Sequence, residues 1–163
     1  MKKTLLFLTL LCLSFTLQGQ DWQASETRQA NTRENAINKR MSESQSAMNG
    51  TADQILKRIH QDRIDILNYC RQDIQLWKGA IQENKRLIAQ RYNLLANLRL
   101  GQVEAMQNLL AIRSAEIYYE TRGTQDFKGE PLAILKDLRT ETASMVRAYD
   151  KAINKIRALL KQQ

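Results

Sequence analysis

Apolar residues in the middle of the chain recur as pairs four positions apart, repeating every eleven: Ile55 and Ile59, Ile66 and Cys70, Trp77 and Ile81, Ile88 and Tyr92. An α-helix completes a turn every 3.6 residues, so an eleven-residue repeat (about 3.67 per turn) stays on one face almost without drift. The pattern predicts a long helix packed along one seam. No stretch of the chain reads as a strand. The expected fold class is all-α: elongated helical hairpins in a coiled-coil-like bundle.

Turn signals divide the chain into helices at about 22–48, 51–122 and 131–161. Asn49-Gly50 is a turn dipeptide, and Thr51 followed by Gln54 matches a capping box that opens a new helix. Unbroken, residues 51–122 make a rod about 108 Å long at 1.5 Å per residue. The eleven-residue phase fails at Arg99, and a different spacing resumes at Val103, Met106, Leu110 and Ile117. The change coincides with Gly101, which predicts a kink or break there; Gly79 interrupts nothing. Gly123 is placed as a helix C-terminus, with Thr124 to Glu130 a loop leading into Pro131 in the first turn of the last helix.

The two outer helices differ. Ala30, Ile37, Met41 and Met48 give the first only a thin apolar face. In the last, Leu135, Leu138, Thr142, Met145, Tyr149, Ala152, Ile156 and Leu159 alternate steps of three and four. Val146, Ile153 and Leu160 widen that stripe, which suggests contact with more than one neighbour. An arrangement two helices thick buries little apolar surface per residue. Either the rod breaks at Gly101 into a compact four-helix bundle, or copies of the chain associate through their helix seams.

The N-terminus changes the expected compartment. Lys2 and Lys3 precede an apolar run from Leu5 to Leu17, too short for a stable transmembrane anchor, and Leu17-Gln18-Gly19 offers a cleavage site before Gln20. Residues 1–19 therefore read as a signal peptide, and 20–163 as one helical domain, periplasmic or secreted and soluble once the signal is removed. Cleavage lowers the formal net charge from +8 to +6 and leaves Cys70 the sole cysteine. No intramolecular disulfide framework is then possible. Cys70 reads as a buried apolar thiol, with a disulfide between two copies as the sharper alternative.

Candidate chemistry is sparse. His60 is the only histidine, and its helical neighbours four residues away are Leu56 and Ile64, so no metal site is expected. Cys70 has no nearby base, and neither a phosphate-cradling glycine loop nor a serine nucleophile elbow is present. The expectation is a non-enzymatic protein without a cofactor. Lys85, Arg86, Arg91 and Arg99 fall in a stretch free of acids between Glu83 and Glu104. They read either as a solvated face or as contacts to an anionic membrane surface or acidic partner, with nucleic acid the weaker option. Tyr118, Tyr119 and Phe127, at an otherwise polar hairpin tip, are the candidate partner anchors; the plainer reading has Phe127 tucked back on the tyrosines.

Signal peptide, small size, elongated helices and a loop appendage give this chain a format similar to the minor pilus-tip subunits of type IV secretion systems. The resemblance implies a structural or adaptor subunit of an envelope-spanning secretion or conjugation assembly, with other envelope proteins as partners. Size, basic charge and long arms also resemble periplasmic holdase chaperones of the Skp type. That family flanks its arms with short strands, whereas Asp21-Trp22-Gln23-Ala24 and Ile156 to Gln163 read as helix. A secreted helical binding module or effector is the third expectation.

Overall fold

The computed structural model describes the backbone of residues 2–122 and 125–162 and the side chains of 21–122 and 129–162. Among the described residues there are four helices and no strand: α1 (Lys2–Gly50), α2 (Gln54–Gln82), α3 (Arg86–Arg122) and α4 (Gln125–Lys161). Each packs on its neighbour in sequence, α1 on α2, α2 on α3 and α3 on α4. The apolar run at the N-terminus continues the backbone of α1, while its side chains lie outside the described residues. No helix among the described residues is long and apolar enough to cross a membrane.

The central rod divides earlier than expected. α3 runs through Gly101, and the reversal falls at Glu83–Lys85. Asn84 there adopts φ 55°, the left-handed conformation that asparagine tolerates best among side-chain-bearing residues. Its N–H donates to the Ile81 carbonyl (3.0 Å) and the Lys85 N–H to Ala80 (2.8 Å). These crossed bonds satisfy carbonyls that the end of α2 would otherwise leave unpaired, a Schellman closure.

Two other boundaries shift. The cap of α2 is Asp53 rather than Thr51: the Leu56 N–H donates to Asp53 Oδ1 at 2.8 Å. Thr51 instead accepts from the Asp53 N–H through Oγ1 (3.3 Å). The segment expected as a loop is helical from Gln125, so Pro131 lies inside α4 rather than at its first turn. As the seventh residue of α4 it lies past the four positions whose donors are unpaired in any case, so the proline forgoes one intrahelical bond to the carbonyl four residues before it. Gly123 and Thr124 lie outside the described residues.

The core is built on heptads. Arg63, Leu67, Cys70, Ile74, Trp77 and Ile81 on α2, and Ala96, Arg99, Val103, Met106 and Leu110 on α3, are all buried at alternating steps of three and four. This spacing is the knobs-into-holes geometry of a left-handed bundle. Of the eleven-residue row, Cys70, Trp77 and Ile81 are buried; Ile66, Ile88 and Tyr92 pack against the core; Ile59 is half-buried and Ile55 exposed. The row also crosses the turn between α2 and α3, so it lines no single rod. α1 contributes Ala30, Ile37 and Ser44, one heptad apart and fully buried. Its thin face docks because small residues let it approach: the Ser44 hydroxyl accepts from Arg63 Nη1 (3.1 Å), and Trp77 Nε1 donates to Glu26 (2.9 Å) beneath the Arg33 guanidinium.

Candidate interaction surface

α4 is held antiparallel on α3 by polar ties along its length. Arg139 Nη1 donates to Glu116 (3.1 Å), Gln102 Nε2 to Asp150 (2.7 Å) and Arg91 Nη1 to the Leu159 carbonyl (2.9 Å). Between them the Tyr149 ring packs over Gly101. Thr142 and Ile153 are buried, with Leu135, Val146, Tyr149 and Ile156 partly so. That accounts for one face of α4 only.

A second face of the same helix has no partner among the described residues. Leu138, Met145 and Leu159 are 44%, 52% and 42% exposed, and half-buried Ala152 completes their seven-residue spacing. Ile134 and Ala148 add to the row, and Leu98 of α3 faces it across a groove, one turn after exposed Leu94. The groove encloses about 300 Å³ between Leu98, Met145, Ala148, Tyr149 and Ala152. The stripe anticipated on the last helix is thus two stripes: Leu135, Thr142, Tyr149 and Ile156 face the bundle, and Leu138, Met145, Ala152 and Leu159 face away.

On the other side of α4 lies a polar cleft of about 460 Å³, lined by Asp62, Asp65 and Tyr69 of α2, Arg99 and Gln102 of α3, and Asp150 of α4, among others. The Tyr69 ring is flanked by the Arg99 and Arg157 guanidiniums at 5.2 and 6.0 Å. Arg99 Nη2 and Gln102 Oε1 are buried here without a hydrogen-bond partner. No group of His, Cys, Asp and Glu among the described residues is arranged to hold a metal ion.

The candidate cations do not form one patch. Arg99 is buried and ion-paired with Asp73, so it is unavailable to an anionic surface. Lys85 pairs with Glu83 (2.5 Å), Arg86 covers the Trp22 ring, and Arg91 is engaged with the end of α4. Tyr118 and Tyr119 meet edge-to-face at 5.5 Å, with Arg122 over Tyr118, which stays exposed. The Phe127 side chain lies outside the described residues. Cys70 is a free thiol enclosed by the core, directed at the Ala96 carbonyl (3.6 Å), so a disulfide between copies has no access to it. Burial, reinforced by Asp73, pushes that thiol up to about 12.

Sequence reasoning missed a network joining three helices. Arg113 binds Asp53 (2.8 Å), Glu116 (3.1 Å) and Glu120 (3.2 Å), and Arg139 binds Glu116 from α4. Only the i, i+3 pair within α3 was visible as a spacing. No family model, curated protein or solved structure matches the chain.

Proposed function

We propose that this chain is a non-enzymatic, exported helical adaptor that joins an envelope assembly by docking proteins on the outward face formed by α3 and α4. The supporting observation is the apolar row Leu138, Met145 and Leu159, exposed at heptad spacing on a helix whose other face is already packed. Isolated exposed leucines are ordinary on protein surfaces, but a periodic row on one helix is what helix-in-groove and coiled-coil recognition use. The signal-like N-terminus supports export, and Tyr118 offers a secondary contact at the end of α3.

The test is capture of partners from native envelopes by the tagged chain, compared with Met145→Glu. A short stoichiometric set of partners, lost in the variant while helical content is kept, bears out the adaptor reading. A broad substoichiometric spread of unfolded clients overturns it in favour of a holdase chaperone.

A further inference from the structure

The outward row of α4 carries a charge order that selects its occupant. Within α4, Leu138, Met145, Ala152 and Leu159 form one heptad position, and Ile134, Glu141, Ala148 and Lys155 form the position four residues before each. Acids on this face, Asp137 and Glu141, precede its centre, and bases, Lys151 and Lys155, follow it. All four are exposed, and none makes an ion pair within the described residues. Ser144, Ala148 and Ala152 leave the middle of the face small, which allows two helix backbones to approach closely.

We infer that this face pairs with the same face of a second copy of the chain, antiparallel, about a twofold axis at Ala148. Resting on the docking face assigned above, the inference names its occupant. Glu141 and Lys155 each lie seven residues from Ala148, on opposite sides. An antiparallel twofold pairing therefore sets Glu141 against the partner's Lys155 and repeats the pair symmetrically. A parallel pairing would set acid on acid and base on base, which is destabilising. Met145 of each copy enters the space beside Ala148 and Ala152 of the other, and the apolar stem of Lys151 covers it. The helix dipoles run opposed, which adds to the preference. A twofold contact of this kind is self-complementary and closes at two copies.

The experiment is sedimentation equilibrium of the chain from Gln20 onward, in which Cys70 is the sole cysteine, combined with cysteine cross-linking. The native chain should be a reversible dimer. Glu141→Lys should weaken dimerisation by about tenfold, because two attractive pairs become repulsive. Adding Lys155→Glu to it should restore the native affinity. Ala148→Cys should form a disulfide-linked dimer on mild oxidation, whereas Ser144→Cys should not, since paired copies of that position stand about 12 Å apart along the axis at 1.5 Å per residue. The unaltered chain is the control, with Cys70 enclosed by the core.

A monomer at every concentration overturns the inference, as does equal cross-linking at the two positions or a double charge variant that stays weakened. If the chain is monomeric but Met145→Glu still abolishes partner capture, the second copy is the wrong occupant and the adaptor reading stands. If it dimerises as described and captures no envelope partner, the reverse holds.

Discussion

The Tyr149 ring of α4 lies against the backbone of α3 at Gly101, where a β-carbon would stand 2.7 Å from Tyr149 Oη and 2.8 Å from Cζ. The glycine is a notch for a neighbouring side chain and does not break its helix. In isolation, Gly101→Ala would raise helix propensity by about 1 kcal/mol.

The contact offsets that gain. The tip of the Tyr149 side chain must move to admit the β-carbon, so Gly101→Ala should stabilise the native chain by clearly less than that and loosen α4. In a Tyr149→Ala background the same change should stabilise by the full amount, about 1 kcal/mol. Urea denaturation of the four-member cycle measures the coupling; additive effects would disprove the notch.

Asp73 and Arg99 form a buried pair, each 4% exposed. Asp73→Ala leaves a guanidinium buried without its counter-charge and should cost about 3–5 kcal/mol. Asp73→Leu combined with Arg99→Met should cost much less than the sum of the single changes. Chemical denaturation of both single variants and the double variant checks this.

Asp53 both caps α2 and binds Arg113. The Arg113 guanidinium first, then the Leu56 N–H, hold its carboxyl below the ordinary carboxylate value. The depressed folded value means this contribution is present above the unfolded value, about 3.9, and is lost as pH falls through the folded one. Asp53→Ala should cost about 1–2 kcal/mol at neutral pH, with the difference from the native chain shrinking in strong acid. Thermal melts across that range provide the measurement.

His60 is also lowered on folding, but because burial disfavours its charged form, where the partners of Asp53 favour the charged carboxylate. Burial first, then Arg63, lowers its folded value below the ordinary imidazole range. It shares a cavity of about 430 Å³ with Arg40, Glu43, Arg63, Glu104 and Gln107. The unfolded chain therefore takes up the proton first, and stability should fall as pH drops below about 6.5. His60→Gln should flatten the stability profile between about pH 7.5 and about pH 5.5; an unchanged slope assigns the titration elsewhere.

Cys70 should resist thiol reagents in the folded chain, being enclosed and pushed up to about 12. Its labelling rate should rise with denaturant in step with loss of helical signal. Rapid labelling without denaturant would contradict its burial.

Local periodicity made the helical class legible, along with the turn near Asn49-Gly50 and the broad apolar stripe of the last helix, whose division into an inward and an outward row only packing shows. An apolar residue at every third or fourth position has one regular backbone that gathers it onto a face. The eleven-residue row is present in the chain but is not the core, which follows heptads through fully buried Leu67 and Ile74 between those positions. Asn84 is a weaker signal than glycine for a left-handed turn residue.

The sequence by itself determined the all-helical class and much of which faces are apolar, since both depend on residues within a few turns of one another. Tertiary structure decided where the rod reverses, what Gly101 is for, and which charges are buried. Arg99 reads as one more cation in a basic run until α2 brings Asp73, 26 positions away, against it. Gly101 reads as a helix breaker until α4 lays Tyr149 across it. In both cases the deciding partner is distant in the chain, and only packing supplies it.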